Sequence, residues 1–80
     1  MDETLLKRIV MDPEVMVGKP VIQGTRIPVE LIVRMVAQGI PDNDILKEYP
    51  RLQADDIRAA LVYAAVSLEH EDILPLAVSG

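Results

Sequence analysis

Cysteine is absent from this chain of 80 residues, and histidine occurs once. Without cysteine there is no disulfide framework and no Cys/His zinc site. The single histidine, His70, stands among Glu69, Glu71 and Asp72. One imidazole with adjacent carboxylates lacks the convergent geometry of a metal site, so the expected state is a solvated helix end with no metal and no cofactor. No Ser/His/Asp or Cys/His set can be assembled either, so no catalytic residue is assigned and the chain is not expected to be an enzyme. Basic side chains are also scarce: eight Lys and Arg face 13 Asp and Glu, a net charge of −5. That balance argues against a generic nucleic-acid coat, because duplex binding depends on cations displacing counterions. No apolar run approaches the roughly 20 residues that span a bilayer. The opening Met1-Asp2-Glu3-Thr4 is acidic where a secretory signal is basic, so the expected location is the cytoplasm, away from membranes.

What is present is apolar: half of all residues. So short a chain buries only a modest fraction of its surface, and its core stabilises it marginally. Oligomerisation is the remaining remedy, and a homodimer or higher homo-oligomer is expected. The basic residues are unevenly spread. Residues 52–80 hold only Arg58 against Asp55, Asp56, Glu69, Glu71 and Asp72, so any basic patch belongs to the first half.

The pattern along the chain predicts a single domain in three parts: an arm over residues 8–27, a helical core over 28–70 and a tail over 71–80. The first residues, up to Lys7, read as a frayed lead-in. Arg8-Ile9-Val10-Met11 is a short β-prone run that Asp12-Pro13 stops. Val21-Ile22 begins a second run, broken at Gly24-Thr25 and resumed at Arg26-Ile27, which together suggest a β-hairpin or arm with a tight bend at Gly24. From Pro28 the period becomes helical, with Val29, Ile32, Val33 and Val36 on one face and Glu30 and Arg34 spaced to pair on another. A second, short helix opens at Pro41-Asp42-Asn43-Asp44 and ends before Pro50. A third begins near Gln53 or Ala54 and runs to about His70. It is apolar almost all round, which normally means burial. The fold class is therefore mainly α: a three-helix, helix-turn-helix (homeodomain-like) core with a short N-terminal β-hairpin or arm.

At this point the motifs resemble a known family. Asp12-Pro13-Glu14, the stretch from Gly18-Lys19-Pro20 through Gln23-Gly24-Thr25-Arg26-Ile27-Pro28-Val29, then Gly39, Ile45-Leu46, Tyr49-Pro50, Asp56-Ile57 and Ala59-Ala60-Leu61 look like the domain of unknown function 433 family. The resemblance implies a small helix-turn-helix protein of the type II antitoxin kind. Such a protein binds its own promoter DNA as a dimer and neutralises a PIN-like ribonuclease toxin through another segment. Where the family commonly places Ser and Thr caps, this chain has Pro41 and Gln53, and a lost cap typically costs about 1 kcal/mol.

Several residues carry competing readings. Gly18-Lys19-Pro20 is a turn rather than a phosphate loop, since Pro13 and Pro20 stand where that loop needs Gly and Ser or Thr. Gly24-Thr25-Arg26 reads first as a bulge satisfied by the Thr25 hydroxyl, and second as a grip in which Arg26 and Lys19 hold phosphates or a partner's carboxylates. Arg51 and Arg58 flank the start of the third helix, where a recognition helix faces the major groove. Otherwise Arg58 pairs with Asp55 or Glu48, or covers apolar surface with its stem. The candidate contacts to nucleic acid or a partner are thus Lys19, Arg26, Arg34, Arg51 and Arg58. Candidates for packing against a partner helix are Ala60, Leu61, Ala64 and Leu68. The tail either folds back on the core or across a dimer, or orders only on a toxin surface. Two functions follow: an antitoxin or transcriptional autoregulator, and a protein-interaction module that keeps the scaffold without the DNA contact.

Overall fold

A computed structural model describes residues 3–70, apart from the side chain of Met16. The element order is α1 (Glu3–Leu6), β1 (Ile9–Met11), a 3₁₀ turn (Met16–Gly18), β2 (Pro20–Ile22), α2 (Val29–Ala37), α3 (Asp42–Glu48) and α4 (Ala54–His70). The expected tail over 71–80 lies outside the described residues.

The two strands pair antiparallel, with Ile9 opposite Ile22, Val10 opposite Val21 and Met11 opposite Pro20. An isolated hairpin is marginal in water, and this one turns Val21 and Ile22 into the core. The chain then bends through Gly24 and returns, so that Val21 bridges Pro28 and the Ile22 N–H donates to the Ile27 carbonyl at 3.1 Å. The resumed run at Arg26-Ile27 therefore forms no strand, and the return is marked by a single bridge at Pro28.

Pro28 is the residue before α2, in extended backbone, and its carbonyl accepts from Leu31 and Ile32. Its missing N–H costs nothing there. The helix buries Val29, Ile32 and Met35. Met35 takes the place expected of Val33, because the buried stripe follows a three-residue step while Val33 turns toward a groove. At the other end, the Ile40 N–H donates to the Met35 carbonyl and the Gly39 N–H to the Val36 carbonyl. With Gly39 at φ +82° this is a Schellman close.

Neither Pro41 nor any neighbouring side chain caps α3, whose first turn carries Asp42 and Asp44 beside the positive helix end. The missing cap at Gln53 is compensated. Asp56, the third residue of α4, reaches back and accepts from the Gln53 N–H at 2.8 Å, which is one half of a capping box.

The core gathers Ile22, Val29, Ile32, Met35, Ile45, Leu52, Ile57 and Ala60 from the hairpin, the three longer helices and the turn between α3 and α4. Each fully buried isoleucine removes apolar surface worth about 1.5–3 kcal/mol. Within the stretch read as a frayed lead-in, residues Glu3–Leu6 form α1, which packs on α4 and buries Leu5. Four residues cannot nucleate a helix alone, so tertiary contact holds it.

Candidate interaction surface

The 17-residue α4 has two unlike halves. Its first half is closed into the core by Asp56, Ile57, Ala59 and Ala60. In its second half no residue is fully buried, Leu61 is 40 % exposed and Leu68 is 59 % exposed. Residues 61–68 carry no charged side chain. The expectation that this helix is covered on all sides is therefore not met within the chain: its first half buries one face while Asp55 and Arg58 stay exposed, and its second half buries no residue fully.

Beside the second half runs an open groove of about 600 Å³. Its floor and walls are Val29, Val33 and Ala37 from α2, Tyr63, Ala64, Ser67 and Leu68 from α4, and Pro20 from β2, with Glu30 and Arg34 among the lining residues. The spacing of Val29, Val33 and Ala37 is i, i+4, i+8, which places them along one edge of α2. That edge was readable in the sequence once α4 was known to lie beside it.

The packing candidates separate accordingly. Ala64 and Leu68 line the groove, and Leu61 is exposed on the same half of α4. Ala60 does not belong with them. It is fully buried in the chain's own core, where its missing side-chain bulk admits the neighbouring elements, and it is closed to a partner.

The five basic candidates do not form one patch. Lys19 donates to Glu30 at 3.0 Å, both side chains being exposed. Glu30 thus pairs with Lys19 rather than with Arg34 as the helical spacing suggested, because the turn before β2 brings the lysine across. The Lys19 hydrogen bond and then its charge hold the Glu30 carboxyl below its ordinary value, against an opposing desolvation and with the smallest contribution from Arg34. Arg51 donates through Nη2 to the Gly24 carbonyl at 2.7 Å, tying the α3–α4 turn to the hairpin bend. Arg26 and Arg51 line a second concavity of about 480 Å³ together with Asp12, Gly24 and Thr25. Among the described residues, the side chains of Arg26, Arg34 and Arg58 make no hydrogen bond or ion pair. Arg58 accordingly does not pair with Asp55 or Glu48.

Thr25 does what its structural reading required. Its hydroxyl donates to the Ile22 carbonyl at 2.7 Å and accepts from the Ile27 N–H at 3.0 Å. The residue that sequence reasoning missed is Arg8. It stands before β1, yet its guanidinium bonds Gln53 and Asp56 and lies 3.6 Å from Asp55. Sequence separations of 45 and 48 leave no local signal for those hydrogen bonds.

Among the described residues, no three His, Asp or Glu side chains gather as a metal site, and no helix is long and apolar enough to cross a membrane.

Comparison with known proteins places these features in a family. The model of a family described as a protein of unknown function (DUF433) matches residues 9–64. The chain is 38% identical over 56 residues to the uncharacterised protein y4eO of Sinorhizobium fredii, a match covering 70% of this chain and 25% of the relative. It therefore spans about a quarter of that protein's length. Over 30 residues it is 63% identical to an uncharacterised protein of Archaeoglobus fulgidus, covering 38% of this chain and 83% of the other. The crystal structure of a DUF433 member from Anabaena variabilis superposes with a TM-score of 0.73 at 39% identity, covering 84% of this chain and 66% of that one. This chain belongs to the DUF433 family.

Proposed function

We propose that the chain is a non-enzymatic, cytoplasmic binding protein of the antitoxin or autoregulator type. In this reading α2, α3 and α4 form a helix-turn-helix core, the apolar α2–α4 face is a binding surface, and a PIN-like nuclease is the protein partner. The observation that carries it is the uncovered half of α4: an uncharged stretch with Leu61 and Leu68 exposed beside an apolar groove. Isolated exposed leucines are ordinary, but a contiguous apolar strip marks an interaction site.

Of the two forms of this reading, the geometry favours the one in which binding is to protein. Lys19 and Arg51 are engaged within the chain, and Asp55 remains exposed at the start of α4, where a DNA-reading helix would face phosphates. The promoter-binding form draws support from a different observation. Arg8 compensates the buried Asp56, while Arg58 on the same helix is exposed and Arg26 lines an open concavity.

Co-expression with the product of the neighbouring gene, followed by a gel shift on the chain's own promoter in low salt, separates the forms. A stable complex without promoter binding supports the protein-interaction form. Promoter binding that exceeds random DNA and falls with added salt supports the autoregulator. Absence of both the complex and the shift overturns the proposal.

A further inference from the structure

The groove between α2 and α4 lies beside the end of α4, and the sequence that follows α4 matches it. We infer that residues 73–78 of the chain's own tail occupy this groove, so that a partner of the α2–α4 face must displace them. This rests on reading that face as a binding surface and names what regulates access to it.

Position is the first ground. Leu68 lines the groove, and α4 ends at His70. The tail therefore leaves the helix at the groove's edge. A turn with Glu71 and Asp72 as its two central residues sends the following segment back along α4. Extended, residues 73–78 span about 20 Å, while α2 rises about 12 Å between Val29 and Ala37. The segment is long enough.

Chemistry is the second. Ile73-Leu74-Pro75-Leu76-Ala77-Val78 carries neither a charge nor a polar side chain. Val29, Val33, Ala37, Ala64 and Leu68 give the groove an aliphatic lining. Pro75 lacks an N–H and holds φ near −65°, which suits extended or polyproline backbone. Such a strap keeps its backbone polar groups toward water and asks no hydrogen bonds of an apolar wall.

Charge is the third. The charged residues of the tail are Glu71 and Asp72, both acidic and both at its root. Of the two charged residues lining the groove, Glu30 is paired with Lys19. The other is Arg34, whose side chain has no hydrogen bond or ion pair among the described residues. The cation left over in the groove thus answers the acids that lead the strap into it.

The short tether completes the case. A segment so attached acts at an effective concentration on the order of 1 mM, so a contact of a few residues suffices to hold it. A free partner binds against that competition.

The chain has no cysteine, so Ser79→Cys provides a single site for a nitroxide label on the full chain. In its NMR spectrum the amides of Val33, Ala37 and Ala64 should be broadened by the label, to a degree that does not change on dilution. Leu74→Asp with Leu76→Asp should remove most of that broadening and leave the helical circular dichroism unchanged, since burying unpaired charge lowers the docking constant at least about tenfold. Arg34→Glu should weaken the broadening, and adding Glu71→Arg and Asp72→Arg should restore it. Groove amides that stay sharp, or broadening that survives the two aspartates, overturn the inference. Broadening carried from a nitroxide-labelled chain to a separate, isotope-labelled one overturns it too, since the occupant is then a second copy. Capture of the neighbouring gene product by a chain whose groove amides stay sharp overturns this inference alone. A docked tail with neither capture nor promoter binding overturns the proposed function alone.

Discussion

Nη1 of Arg8 lies 3.0 Å from Oδ1 of Asp56, joining the residue before β1 to the third residue of α4. The Asp56 side chain is only 7 % exposed, and its other oxygen holds the Gln53 N–H. The pair therefore fixes the hairpin to the helix and supplies part of the cap that Gln53 cannot. Arg8→Ala removes the cation but leaves the carboxylate buried. A charged hydrogen bond of this kind is worth about 1.5–3 kcal/mol, discounted here because the Arg8 side chain is partly solvated. Urea denaturation should show a loss of about 1–2 kcal/mol.

Backbone handedness makes opposite predictions at two positions. Val17 has φ 57° and is 93 % exposed, so a β-branched residue adopts a left-handed conformation with no packing in return. Val17→Asn should stabilise by about 0.5–1 kcal/mol, since Asn tolerates that region. Gly39 has φ +82° with open space where a Cβ would stand. Gly39→Ala should cost about 1 kcal/mol from conformation alone. Thermal melts of the two variants should shift in opposite directions.

Ile32 is fully buried at the centre of the core cluster. Truncation of such a residue to Ala costs about 2–5 kcal/mol, and a single core of this size supplies only about 3–5 kcal/mol. Ile32→Ala should therefore lose most of its helical circular dichroism at room temperature. Leu61→Ala, at an exposed site, should retain it.

The Thr25 hydroxyl serves two backbone groups at once. Thr25→Val keeps the shape and leaves the Ile27 N–H without its acceptor, at a cost of about 1–3 kcal/mol. Thr25→Ser should restore most of it. Amide exchange at Ile27 reads the difference directly.

The Lys19 hydrogen bond and charge lower the Glu30 carboxyl pKa. The contribution to stability is thus present above the ordinary glutamate value and is lost as pH falls through the lowered one. An NMR titration of Glu30 should give a midpoint below that of a free glutamate, returning toward it in Lys19→Met. High salt should shrink the difference, because the pair is exposed.

Much of the architecture follows from local chemistry. The period change at Pro28, the glycine at position 39 and the break at Pro50 delimit α2 and α3, and each acts through a few neighbouring residues. The β-runs at residues 9–11 and 21–22 were legible for the same reason. Tertiary structure alone decided what those elements do to one another. Arg8 reads as a strand residue until the fold brings it to Asp56. Leu5 reads as a lead-in until α4 lies beneath it. Ala60 and Ala64 are alike in sequence, yet one is sealed in the core and the other lines an open groove. Periodicity states which residues share a helix face, but only packing states which part of that face another element covers. The side of α4 left apolar and bare could therefore not be read before the fold was known.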